Sequence, residues 1–254
     1  MNRYFMYVSY NGRNYCGWQT QPNAPSVQQT IEEALAVWFR RPVPITGAGR
    51  TDTGVHARLM AAHFDREETL ADLPFLADKL NRLLPRDIAV DRIVPVRPDA
   101  HARFDALSRT YHYYVTTHKD PFLEAFACRL FATPDFDAMN EACRELCRHA
   151  DFTSFSKLHT DVRTNNCRIT HAAWEEDGKA WRFSITADRF LRNMVRAIVG
   201  TLLEVGRGKL TVDGFRDIIE ARNRCRAGTS APAQALFLNN ITYPDDVFKP
   251  PHAG

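Results

Sequence analysis

Along this chain the apolar pattern switches between strand and helix periods in one order, then repeats that order. Residues 3–10 (RYFMYVSY) read as a strand. A Gly/Asn/Pro-rich loop leads to Ser26, a good N-cap for a helix with Val27, Ile31, Ala34, Leu35 and Trp38 on one side. Strand-like pieces at residues 43–46 and 59–64 enclose a turn-rich block. A second helix covers residues 73–84 and stops before Pro85, and residues 88–96 form another strand. The second half repeats the order: a strand at 109–116, a helix at 136–149, strands at 168–174 and 181–186 about Gly178, and a long helix at 190–205 with Gly206 as its C-cap. An inserted helix at 212–222 precedes a closing strand at 236–243. The expected fold is α+β: two ferredoxin-like, RNA-recognition-like β-α-β-β-α-β halves, with antiparallel sheets flanked by helices. Residues 97–107 form the expected boundary. An N-terminal domain then covers residues 1–105 and a C-terminal domain 106–254, ending in a Pro-rich tail from Pro244.

With 254 residues, 44% of them hydrophobic, the chain is long enough to bury a core without staples. No apolar run approaches the eighteen or so residues of a membrane span, and the N-terminus lacks a signal-peptide core. A cytoplasmic protein without a membrane partner is expected. The six cysteines contain no CxxC. Cys143 and Cys147 share a helix face but lack a second ligand pair, so free thiols in a reducing compartment are expected rather than zinc. Net charge is +3, yet 27 of the 33 basic residues are arginine, a side chain suited to phosphate and base stacking. Residues 182–226 hold ten Lys/Arg against five acids, which points to one positive face of the kind nucleic acids bind.

Three constellations carry chemistry. In Gly47-Ala48-Gly49-Arg50-Thr51-Asp52-Thr53-Gly54-Val55-His56-Ala57, three glycines within eight residues allow close approach around a central carboxylate. Asp52 there suits a nucleophile or general base, with Arg50 nearby to favour its ionised form; an Asx-turn or tight hairpin is the structural alternative. The loop lacks the P-loop pattern, and His56 reads as an orienting or packing residue. In Arg109-Thr110-Tyr111-His112-Tyr113-Tyr114, Tyr111 and Tyr113 face one side of a strand and His112 and Tyr114 the other; one pair packs in the core and the other is placed to stack on a base. From Phe190 a wide apolar helical stripe runs beside Arg189, Arg192 and Arg196. Arg196, set between Val195 and Ala197, needs an acidic partner or a phosphate if partly buried.

These segments together resemble the TruA-type family of bacterial tRNA pseudouridine synthases over nearly the whole chain. The carriers are Tyr10-Asn11-Gly12, Gly17-Trp18-Gln19, Gln21 and Ser26-Val27-Gln28. They continue with the stretch from Gly49 to Ala57, Phe104-Asp105-Ala106, Tyr111 with Tyr113, Asp151 to Phe155, and Asn193 to Gly200. Arg192-Asn193 departs from a position that is more variable in the family and sometimes contains His. The resemblance implies isomerisation of uridine to pseudouridine at nucleotides 38 to 40 of the tRNA anticodon arm, by a homodimer without metal or organic cofactor. It places the catalytic aspartate on Asp52 and the substrate-contacting tyrosine on Tyr111. It puts the arginine that pairs with the aspartate on Arg196, and the one that fills the space of a flipped base on Arg50. The chemistry agrees: the N1–C1′ bond breaks and C5 joins C1′ with no atoms gained, and the base must leave its stack to be reached. Other readings fit parts of the pattern. A pseudouridine synthase for another RNA site fits most of it. A non-catalytic RNA-binding module leaves Asp52 without a task. A hydrolase using Asp52 as nucleophile would want a metal and more acidic ligands.

Overall fold

The computed structural model describes residues 1–157 and 164–248. The chain divides into two compact units, Met1–Leu107 with the residues from Leu238 onward, and Ser108–Phe237. The first unit begins with β1 (Asn2–Tyr10), α1 (Val27–Phe39), β2 (Thr46–Gly47), β3 (His56–Arg66), α2 (Leu73–Leu83) and β4 (Ile88–Val96). β1 is central, antiparallel to β3 on one side and β4 on the other, and β2 adds antiparallel to β3. The order β4-β1-β3-β2 is that of a ferredoxin-like unit.

Local chemistry sets the ends of these elements. Ser26 Oγ accepts the Gln29 amide at 3.3 Å and starts α1. Asp72 does the same for α2 through the Phe75 amide at 2.8 Å, and Pro85 bars continuation past Leu84. Asn81 then pins α2 to β4, donating to the Val90 carbonyl at 2.8 Å and accepting its amide at 2.7 Å. Trp38, expected in the buried stripe of α1, is partly exposed and meets the Phe75 ring edge-on at 6.0 Å. The strand expected at 43–46 shrinks to Thr46–Gly47. Val43 and Ile45 are buried as the pattern requires, but Pro42 and Pro44 have no N–H to give. The Ile45 amide is spent on Glu32 Oε1 at 2.9 Å instead of a strand partner.

The second unit holds β5 (Ser108–Thr116), β6 (Cys128–Arg129), α3 (Phe136–Leu146), β7 (Ile169–Asp177), β8 (Ala180–Ala187), α4 (Met194–Gly206) and α5 (Val212–Glu220). β5, β8 and β7 form an antiparallel set in that order, and β6 adds two residues parallel to β5. Phe136 of α3 lies flat on Trp181 of β8, ring centres 3.6 Å apart. Met139, Cys143 and Leu146 turn inward, whereas Cys147 caps the helix and is exposed, so the two thiols do not share an environment. The closing strand, β9 (Leu236–Thr242), belongs to the first unit from Leu238 on and neighbours β3 there. The architecture is the expected α+β class, mostly antiparallel strands flanked by helices.

α4 begins four residues later than its apolar stripe suggests. Asn193 takes the left-handed conformation (φ 65°), and the Met194 amide turns back to the Leu191 carbonyl at 3.1 Å. Phe190, Leu191, Arg189 and Arg192 therefore lie in the preceding loop, and the expected stripe of three helical arginines reduces to Arg196. Gly206 is the last helical residue rather than the cap, pressed against Met139 and Pro134 where a side chain has no room. Of the expected C-terminal tail, Asp245–Phe248 is a 3-10 turn and residues 249–254 lie outside those described. Among the described residues no helix is long and apolar enough to cross a membrane.

His63 on β3 is buried, and its Nδ1 accepts the Ala102 amide at 3.2 Å, which requires the neutral ring. Burial, reinforced by Arg3, lowers its pKa to about 4. The unfolded ring titrates near 6.5. Between those values the unfolded chain binds a proton that the fold refuses, so stability falls as pH drops through this window. Melts at pH 7 and pH 5 should show a smaller loss for His63→Asn, which keeps an acceptor without a titratable ring. An unchanged loss would assign the protonation elsewhere.

Candidate active site

Asp52 sits half-buried in the connection from β2 to β3, in a tight turn. The Val55 amide donates to the Asp52 carbonyl at 3.1 Å, and Gly54 supplies the positive φ of 78°. The segment after β1 holds this turn. Tyr10 and Thr51 share a hydrogen bond between their hydroxyls at 2.9 Å. The Trp18 amide donates to the Thr51 carbonyl at 3.4 Å, and the Gly54 amide to the Tyr15 carbonyl at 3.3 Å. The Gly12 amide donates to Nδ1 of buried His56 at 3.1 Å. Both glycines are sterically required: a Cβ on Gly12 would strike the Val55 carbonyl, and one on Gly17 (φ +88°) the Thr51 carbonyl. Trp18 is buried with its indole against Gly47, where a methyl group would not fit. Tyr15 anchors the whole segment through its hydroxyl to Asp87 at 2.7 Å. The backbone on both sides of Asp52 is thus fixed, which is what a reacting carboxylate needs. Arg50 is exposed, with Nε on Gln19 Oε1 at 2.9 Å.

In the second unit, Tyr111 is half-buried on β5, with its ring edge-on to Phe190 at 5.1 Å. Tyr113, two residues on and on the same face, is fully buried, and burial pushes its phenol pKa up. The pair therefore divides: Tyr113 builds the core and Tyr111 keeps an accessible ring. His112 and Tyr114, on the other face, meet edge-on at 6.2 Å. Arg196 is half-buried on α4. Its Nε donates to the Ala231 carbonyl at 2.7 Å, and the Ala231 amide returns to the Arg196 carbonyl at 2.9 Å. This backbone pairing fixes the direction of the guanidinium. It depends on Gly200, where any Cβ would strike the Thr229 carbonyl. Ser230 is gripped by Asn193 at 2.6 Å and Arg224 at 3.1 Å.

The structure thus places Arg50 and Asp52 in the first unit and Tyr111 and Arg196 in the second. Among the described residues no three His, Cys, Asp or Glu side chains gather as a metal site. The family model described as tRNA pseudouridine synthase matches residues 6–105 and 142–244. The chain belongs to the tRNA pseudouridine synthase family. The match takes in Arg50, Asp52 and Arg196, while Tyr111 falls between its two parts. The tRNA pseudouridine synthase A of Parabacteroides distasonis is 68% identical over 248 residues, covering 98% of each chain. That of Bacteroides thetaiotaomicron is 62% identical over 98% of this chain and 93% of its own. That of Geobacter sulfurreducens is 38% identical over 93% and 97%. Members of this family are isomerases, and this enzyme is one.

Four residues of the site give no local sign of their part in it. Tyr10 reads as the end of a strand and, with Gly12 and Gly17, as a carrier of the resemblance; in the structure the three clamp the Asp52 turn. Phe190, expected in a helical core stripe, is the ring against Tyr111. Two glycines shortly before a Trp in one loop, Gly12 and Gly17 ahead of Trp18, were the available signal, but which loop they press on is decided by a contact distant in sequence.

Proposed function

We propose that this enzyme converts uridine to pseudouridine at nucleotides 38, 39 and 40 in the tRNA anticodon arm, with Asp52 as the essential carboxylate and without cofactor. The observation that carries the reading is a half-buried carboxylate on a turn immobilised from both sides, in a chain of this family. Attack at C1′, attack at C6 and removal of a ribose proton all need Asp52 ionised. The resemblance assigns Arg196 to favour that ion, Arg50 to occupy the space of the flipped base, and Tyr111 to stack on the uracil. The enzyme acts in the cytoplasm as a homodimer; a monomer by light scattering would remove the second expectation.

Tritium release from tRNA carrying 5-tritiated uridine tests the reaction, and tRNAs lacking uridine at 38 to 40 test the position. Release from those tRNAs would move the target to another site. Tyr111→Phe is expected to keep turnover within a few-fold and Tyr111→Ala to lose roughly 5- to 150-fold, the range of base–aromatic stacking. A large loss in Tyr111→Phe would instead make the phenol a proton carrier.

Binding is expected to depend on the exposed arginines Arg192 and Arg226. Neutralising Arg192 and Arg226 together should flatten the log–log salt dependence of tRNA affinity by about one to two units, one phosphate contact contributing roughly 0.7–0.9. An unchanged slope would locate the RNA-binding face elsewhere.

A further inference from the structure

Phe104 has no task in either the fold or the proposed chemistry. Its ring is 73% exposed, yet it is firmly supported. The His101 ring lies against it with centroids 4.3 Å apart, and His101 meets buried His63 at 4.6 Å. His63 in turn borders Phe5 of β1 at 6.4 Å. A file of rings therefore leads from β1 and β3 out to solvent. Side chains immobilise the turn that carries the last ring. Asp105 accepts the His101 amide at 2.8 Å and Arg97 at 2.9 Å. His101 Nδ1 accepts the Arg103 amide at 3.1 Å, and Tyr243 donates to the Ala102 carbonyl at 2.6 Å. The Arg103 guanidinium stands 5.6 Å from the centre of the Phe104 ring. Phe122 and Phe131 are more exposed still; what sets Phe104 apart is the support behind it.

We propose that Phe104 is a stacking platform for an unpaired base of the tRNA, with Arg103 beside it to meet the base face or its phosphate. The proposal rests on the tRNA reading above. A nucleobase fits better than a protein partner because the feature is one preordered ring flanked by polar and charged groups. A stable subunit interface buries about 800 Å² per partner around an apolar centre. The nearby carboxylates do not oppose RNA strongly, since Asp105 and Asp99 lie on Arg97 at 2.9 and 3.6 Å. The ring file leaves β3 at His63, seven residues and roughly 23 Å of strand from His56, which adjoins the Asp52 turn. The stacked base is therefore a second nucleotide, distinct from the uridine at Asp52, and Phe104 supplies affinity and register rather than chemistry.

The test compares wild type, Phe104→Leu and Phe104→Trp, with melting temperature as the folding control. Phe104→Leu, apolar but not flat, should weaken tRNA binding about tenfold and raise KM with kcat kept. Phe104→Trp should bind as wild type, and its added indole emission should be quenched by tRNA against the baseline of the four native tryptophans. Wild-type binding by Phe104→Leu, or added emission in Phe104→Trp that stays unmoved at saturating tRNA, would overturn the proposal. A change of oligomeric state in Phe104→Leu would also overturn it, by making the ring a subunit contact. Absence of tritium release by wild type would sink the tRNA reading itself. Wild-type turnover with an indifferent Phe104→Leu would sink this inference alone.

Discussion

Asp52→Asn should release no tritium above background, a fall of at least about 10⁴-fold, while binding tRNA within a few-fold of wild type. Asparagine has the shape of aspartate, and the turn around it is held by contacts that the substitution leaves alone. The Asp52 carbonyl still accepts Val55, Thr51 still meets Tyr10 and Trp18, and Gly54 still donates to Tyr15. The change removes the negative charge, which each route to N1–C1′ cleavage requires. Loss of binding together with activity would reassign Asp52 to anchoring RNA. Retained activity would put the reactive group elsewhere in the chain. Chelator should leave the wild-type rate unchanged; sensitivity to it would revive a metal-dependent hydrolase.

Gly17→Ala should lower kcat by about 10²-fold with a much smaller effect on tRNA affinity. The methyl group points at the Thr51 carbonyl, and Gly17 has a φ of +88° that alanine adopts at a cost of about 1–2 kcal/mol. The overlap adds about 1–3 kcal/mol unless the carbonyl moves. Thr51 adjoins Asp52, so relief of the overlap displaces the carboxylate, and a shift of about 1 Å costs a reaction on the order of 10² in rate. Gly12→Ala should act likewise through the Val55 carbonyl. Gly49→Ala separates the clamp from general sensitivity of the loop: its methyl meets no atom within 4 Å, so the wild-type melting temperature is expected there and a drop of several degrees in Gly17→Ala. Equal melting temperatures with equal activities would show that the Tyr10–Trp18 segment does not position Asp52.

Much of the fold is legible because it rests on local signals. Ser26 caps α1, Pro85 bars α2, Gly178 turns β7 into β8, a run of aromatic and apolar residues marks β1, and alternation marks β4 and β5, each within a few residues of the expected ends. The errors share a cause. The 43–46 piece alternates like a strand, but Glu32, thirteen residues from Ile45, takes the amide that a strand partner would have used. The apolar run from Phe190 has helical spacing, but Asn193 enters the left-handed region and its side chain is engaged by Ser230, so the helix begins at Met194. Periodicity records which residues want burial; it does not record which distant group claims a backbone donor.

The site divides in the same way. Asp52 is conspicuous in the sequence because a lone acid among three glycines and two threonines is a chemical statement made within one loop. Arg196 is conspicuous because a cation between apolar neighbours must find a partner. That its Nε rests on the Ala231 carbonyl, that Tyr113 rather than Tyr111 completes the core, and that Gly12 and Gly17 press on the Asp52 turn follow from contacts between segments tens of residues apart. Residue types and local spacing determined the family and the class of fold, and singled out the carboxylate proposed to react. Tertiary structure decided how each group is held, because steric contact and hydrogen-bond partnership act through space and reach across loops of any length.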